Sequence, residues 1–240
     1  MKIIALDSSG LAASVAVMED EICVAEYTTN YKKTHSQTLL PMLDEITKMI
    51  DLDLSTVDAI AIAAGPGSFT GLRIGSATAK GLGLALKKPI VAVPTVDALA
   101  YQFYGSDRLI CPLMDARRNQ VYTGLYQFEP REEGFHCNQI RQQCVVAIDE
   151  IIDDINCLAK EVIFLGDGLP VYRDKIRDLC KVPYAFASAA QNRQRAACVG
   201  VLAFEYIKEG KIESAAEHAP EYLRLSQAER ERAEQTNANP

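Results

Sequence analysis

Residues 59–86 read AIAIAAGPGSFTGLRIGSATAKGLGLAL. The stretch opens with an apolar run, 59–64, that stops at Gly65-Pro66-Gly67, the pattern of a buried strand ending in a turn. Ser68 or Thr70 then offers an N-cap hydroxyl, and a helix of roughly four turns is predicted to follow. Strand, glycine turn and helix can form a phosphate cradle. The stretch has no Gly-Lys-Ser/Thr closing a P-loop, and its spacing is not that of a dinucleotide fingerprint. A tight strand-to-helix turn needs glycine with or without a ligand, so a phosphate site and a structural turn both remain open.

The helix carries a second signal. Gly71, Gly75, Ala79 and Gly83 recur every fourth residue and form one nearly bare ridge, with Gly81 beside it. Each interior glycine costs roughly 1 kcal/mol relative to alanine, so the helix must recover stability by close packing. Leu72, Ile74, Leu82 and Leu86 supply apolar bulk on the neighbouring faces. Either the ridge packs on the protein's own sheet or it docks on a partner's helix. Membrane dimerisation through small residues is excluded, because Arg73 and Lys80 interrupt the span.

A chain of 240 residues suits two modest domains or one large one, and 48% hydrophobic residues can fill a core. The net charge is −7, split between the first hundred residues and the rest, so neither half is a general nucleic-acid patch. Seven scattered cysteines without a CxxC pair fit reduced thiols in a cytoplasm rather than a disulfide framework. MKIIALDSSG reads as a strand and turn, not a signal peptide, and no stretch is long enough to span a bilayer. His35, His136 and His218 are far apart, which argues against a metal site.

Upstream, residues 3–6, 13–18 and 22–27 are predicted strands joined by turns. Asp7-Ser8-Ser9 after the first strand is the arrangement of the first phosphate loop in actin-like ATPases, where Asp7 would stand near a metal or an attacking water. The alternative is a hairpin whose Asp and Ser merely satisfy the turn. Residues 34–50 pattern as an amphipathic helix with Leu39, Met42, Leu43, Ile46, Met49 and Ile50 on one stripe, kinked or shortened at Pro41. Methionines make such a stripe adaptable as an interface, although core is the commoner use. After the glycine helix come a strand at 89–93 and a helix from Thr95. Together these make a βββαβαβα unit, an actin-like (ASKHA, ribonuclease H-like) α/β half. A second such lobe is predicted over 101–225, with strands at 109–115, 120–128, 135–146 and 162–165 and helices opening near Asp149 and Pro170. A last helix at 192–207 is assigned to that lobe. Gly166 and Gly168 could approach a nucleotide phosphate, or form a bare turn. The first lobe is then 1–100 and residues 226–240 are a polar tail.

In chain order, ALDSSGLAASVAV, HSQTLLPMLDEI, GPGSFTGLRIGSATAKGLGLA, VPTVDALA, MDARRNQVY, FLGDG and PEYLR resemble the landmarks of the TsaB (YeaZ) family nearly end to end. The resemblance implies a two-lobed actin-like fold and a role in placing threonylcarbamoyl on the N6 of an adenosine in tRNAs that read ANN codons. TsaC would make threonylcarbamoyl-AMP. TsaD would transfer the group, with this chain as a non-catalytic scaffold and TsaE as the ATPase. TsaD carries an HxxxH metal motif; the matching places here are Thr95 and Leu99, which cannot ligate. No Ser/His/Asp or Cys/His set supports the glycopeptidase chemistry with which the family is also associated. The resemblance further implies docking to TsaD, or to a second copy, through the first two helices of the amino-terminal lobe. The residues implied are Leu39, Met42, Leu43, Ile46, Gly71, Leu72, Ile74, Gly75, Thr78, Ala79 and Leu82. No cofactor of its own is implied; ATP or ADP would sit at the complex interface, and Asp7, Ser8, Ser9, Gly166 and Gly168 are separate candidates for a nucleotide in the cleft between the lobes. tRNA would be met only through the complex, in the cytoplasm, without a membrane. A free-standing actin-like ATPase or kinase, or an endopeptidase acting on a partner, are the competing readings.

Overall fold

The computed structural model describes residues 1–20, 22–31 and 33–224; the polar tail predicted at 226–240 lies outside them. The chain forms β1 (Lys2–Asp7), β2 (Ala13–Glu19), β3 (Ile22–Thr29), α1 (Leu39–Met49), β4 (Ala59–Gly65), α2 (Phe69–Leu86), β5 (Ile90–Pro94) and α3 (Thr95–Ala100). It continues with β6 (Leu109–Asp115), β7 (Gln120–Pro130), β8 (Phe135–Ala147), α4 (Ile148–Leu158), β9 (Val162–Leu165), α5 (Leu169–Leu179), β10 (Tyr184–Phe186) and α6 (Ala196–Lys208).

The two sheets have one topology. Their orders are β3-β2-β1-β4-β5 and β8-β7-β6-β9-β10. In each, three strands form an antiparallel meander and two more add in parallel beside the first. That doubled arrangement is the actin-like, ribonuclease H-like architecture.

Strand β1 is buried on both faces, which is why it reads as a continuous apolar run. Ile4 and Leu6 pack with Leu39, Met42, Leu43 and Ile46 of α1. Ile3 and Ala5, one residue out of phase, pack on the opposite face with Ala196, Val199, Leu202, Ala203 and Phe204 of α6. The last helix therefore belongs to the first lobe, contrary to its predicted place in the second. A Cβ on Gly200 would lie 2.4 Å from Met18 Cγ, so α6 sits hard on β2. Its first N–H, Ala196 N, is capped by Ser14 Oγ of β2 at 2.9 Å. That long-range cap sets the helix start at 196 rather than 192.

Other boundaries moved for local reasons. Residues 35–37 form a 3-10 turn and α1 begins at Leu39, so Pro41 falls in the first turn, where its missing N–H has no intrahelical partner to lose. Ser68, not Thr70, caps α2, accepting from Gly71 N, and the helix runs 18 residues, longer than predicted. Strand β10 was not predicted: three residues after Pro183 are too short to show a period, and pairing with β9 makes them a strand. Helix α3 joins the lobes. Val96, Leu99 and Ala100 pack with Ile110, Met114, Tyr126 and Phe128 of the second, while Ala98 faces the first. Among the described residues no helix is long and apolar enough to cross a membrane.

Candidate functional site

The doubled topology brings two matching loop pairs to face each other across a cleft of about 1050 Å³. β1 ends in Asp7 and β6 in Asp115. Each carboxylate accepts the N–H of the residue two further on, Ser9 and Arg117, at 2.9 Å. β4 ends in Gly65 at φ 131° and β9 runs into Gly166 at φ 106°, backbone that only glycine adopts readily.

Asp7, Ser8 and Ser9 are all at most 1% exposed. Asp7 Oδ1 also takes the Ser9 hydroxyl at 2.6 Å, and Ser8 Oγ donates to Gly71 O at 2.8 Å. The amide of buried Gln194 lies over Gly10, within 2.6 Å of where a Cβ would be. Cβ atoms on Gly166 and Gly168 would meet Leu113 O at 2.2 and 2.9 Å. These glycines are thus required by the approach of β6, and the two serine hydroxyls are spent internally. The turn reading accounts for each of the five residues without a bound phosphate. Burial raises Asp7 to about 6 against the opposing Ser9 hydrogen bonds, with the negative charge of Asp167 adding to the rise. Asp167 is raised too, first by burial, while Arg193 opposes.

The places that would hold HxxxH are filled by Thr95 and Leu99, both in the core. His35 Nε2 bonds Gly10 O of the turn after β1 at 2.9 Å, and His218 Nδ1 bonds Glu213 at 2.6 Å. Among the described residues no group of three His, Cys, Asp or Glu could hold a metal ion. All seven cysteines are free, and burial pushes the Cys111, Cys137 and Cys198 thiols up to about 12, far from a reactive thiolate.

The helical face is where prediction and structure part. Leu39, Met42, Leu43 and Ile46 are the inner face of α1, 1–5% exposed. Gly71, Leu72, Gly75 and Ala79 are likewise buried on the inner face of α2. A Cβ on Gly71 would lie 2.1 Å from Ser8 O, and one on Gly75 2.3 Å from Ser8 Oγ. The bare ridge is closed by the turn after β1, so these eight residues are core, not a surface. A sheet covered on both faces needs the apolar stripe of its helices for itself. Ile74, Thr78 and Leu82 are half-buried at the edge of that face. The outer face carries Leu40, Asp44, Lys48 and Met49 on α1 and Arg73, Ala77, Gly81 and Leu84 on α2. A Cβ on Gly81 would meet nothing within 4 Å. Gly81, which the sequence places beside the ridge, is the one glycine of the helix off it, and the structure turns it outward.

The family model described as TsaD: tRNA N6-adenosine threonylcarbamoyltransferase matches residues 23–232. The tRNA threonylcarbamoyladenosine biosynthesis protein TsaB of Bacillus subtilis is 35% identical over 236 residues, covering 95% of this chain and 96% of that protein. The chain belongs to the TsaB family. The Escherichia coli TsaB is 30% identical over 93% of this chain and 95% of its own length. The solved structure of YeaZ from Pseudomonas aeruginosa superposes with a TM-score of 0.75 at 28% identity, covering 92% of this chain and 99% of that one. As a TsaB-type protein the chain is a non-catalytic partner in tRNA threonylcarbamoyladenosine biosynthesis, paired with a TsaD-like protein.

Three features of this TsaB-type chain escaped sequence reasoning, the first two because they are long-range. Asp97 of α3 is buried between the lobes and accepts from Tyr126 OH at 2.6 Å and Gln139 Nε2 at 2.8 Å. The segment after α6 is a strap. Glu213 exchanges backbone bonds with Ile90, Glu221 N donates to Ala64 O, Tyr222 stacks on Phe69 at 4.6 Å, and Arg224 reaches Ala116 O of the second lobe. Finally, Arg117, Arg118 and Asn119 take φ of 64°, 55° and 60°, three successive left-handed residues without glycine. Each such residue costs roughly 1–2 kcal/mol, tolerated here by the tight β6–β7 turn.

Proposed function

We propose that the chain serves its TsaD-like partner as a rigid docking platform, presenting the outer faces of α1 and α2 rather than the inner stripe. The observation that carries this is Gly81. An interior helical glycine costs roughly 1 kcal/mol, and Gly71, Gly75 and Gly83 have neighbours in the fold that require them, whereas Gly81 has none. A bare outward strip at Ala77 and Gly81, flanked by exposed Leu40, Met49 and Leu84, suits close approach by another helix. Two copies pair through the same strip when the partner is absent. TsaE joins the complex of the two, and ATP or ADP sits at the interface rather than in the filled loop at Asp7. The setting is the cytoplasm, which the seven free thiols favour.

The test is Gly81→Arg, read by co-purification with the TsaD-like protein and by threonylcarbamoyladenosine formed in a reconstituted reaction. The variant is expected to fold normally, lose the partner and lose product. Undiminished partner binding refutes the outer-face reading.

A further inference from the structure

We infer that the rim of the interlobe cleft contacts the RNA backbone directly, through Lys33, Arg117 and Arg118. The inference rests on the reading of this chain as a subunit of a tRNA-modifying complex. It adds an RNA contact made by this subunit itself.

Charge is the first observation. The chain is acidic, with a net charge of −7. Yet five Lys and Arg line the cleft against three carboxylates, so the local sign is reversed. A cleft that gathers one sign of charge between low-dielectric walls focuses its field outward. Arg193 is turned inward onto Gly166 O and Asn192 O. Lys33 and Arg118 are exposed and take part in no ion pair among the described residues. Arg117 pairs with Asp115 at 3.2 Å, but its side chain is 86% exposed.

Display is the second. The left-handed run at 117–119 is held from three sides. Asp115 Oδ1 accepts Arg117 N, Tyr172 OH bonds the same oxygen at 3.1 Å, and Ile148 N donates to Asn119 O. The two guanidiniums therefore project from a fixed turn rather than a loose one, which lowers the entropy lost on binding.

The third concerns the kind of anion. The exposed cations lie on both lobes, spread along an open rim. The loops beneath, which would enclose a small phosphate ligand, are filled by Gln194 and α2. Two aromatic rings share the rim: Tyr31, 72% exposed, and Tyr222, 40% exposed and stacked on Phe69. Cations along a groove with exposed rings between them suit a single-stranded RNA segment, whose phosphates take the charge and whose unstacked bases take the rings.

The experiment titrates an unmodified tRNA transcript by fluorescence anisotropy across a salt series, with the full chain alone and with its TsaD-like partner. Each lost phosphate contact lowers the slope of log K against log salt by about 0.7–0.9. Arg117→Glu combined with Arg118→Glu is expected to flatten the slope by about 1.5 and to weaken low-salt binding at least roughly tenfold. The paired Arg→Lys variant is expected to keep most of the slope, since a lysine still neutralises a phosphate. Lys181→Glu, on an exposed site away from the cleft, should match the wild type. Partner association should be unchanged in every variant. Equal slopes for the wild type and the double charge reversal, or no tRNA binding by the wild type in either setting, overturn the inference. Failure of the docking proposal is read separately, as retained partner binding by Gly81→Arg.

Discussion

Replacing Gly75 and, separately, Gly81 by alanine decides which way the glycine helix faces. Both sit inside α2, so both substitutions gain roughly 0.5–1 kcal/mol of helix propensity. At Gly81 nothing opposes that gain, and the variant should be more stable by about that amount. At Gly75 the new methyl would lie 2.3 Å from Ser8 Oγ and 3.0 Å from Ile62 Cδ1. The serine hydroxyl cannot simply rotate away, because it donates to Gly71 O at 2.8 Å in a fully buried place. Breaking that bond leaves the buried Ser8 hydroxyl without its acceptor, about 1–3 kcal/mol, and overpacking adds a similar amount unless the helix shifts. Net of propensity, Gly75→Ala should cost about 2 kcal/mol, which places the two variants about 3 kcal/mol apart. For a chain of this length that is roughly 6–12 °C in Tm. Thermal and urea unfolding of the pair is the assay. Equal stability would mean that the ridge is not seated on the turn after β1, and the inner-face assignment of α2 would fall.

Two further predictions concern buried carboxyls. Burial raises Asp7 to about 6 in the fold, above the usual carboxylate value, so the folded state binds the extra proton and stability falls as pH rises from about 4 to 6. The loss is at most about 3 kcal/mol, and Asp7→Asn, which still accepts from Ser9, should make the urea midpoint shallower in that window; an unchanged pH profile would show that Asp7 titrates normally. Tyr126→Phe removes a 2.6 Å bond to buried Asp97 and should cost about 1–3 kcal/mol, measured by urea unfolding. A neutral result would show that Asp97 is satisfied by Gln139 alone.

The doubled α/β architecture was legible because a two-sided sheet forces near-continuous apolar strands, and 3–6, 59–64 and 162–165 carry that mark. The landmark motifs were legible as well, and with them the family. The cleft loops were located correctly, but whether they could take phosphate was not readable. That depended on Ser8 meeting Gly71, 63 residues away, and on Gln194 lying over Gly10.

The stripe of α1 and the ridge of α2 show the limit most plainly. Periodicity identifies an apolar or bare face, and both faces were located apart from Met49, which was assigned to the stripe but is exposed on the outer face. It cannot say whether that face meets the chain's own sheet or another molecule, because either burial satisfies the same hydrophobic demand. The assignment of α6 to the first lobe has the same origin, since its amphipathic pattern names no sheet. By itself the sequence determined the elements other than β10, their order and most of the side of each helix that must leave water. The tertiary structure alone decided what that side is buried against, because packing partners are chosen by contacts between segments far apart in the chain.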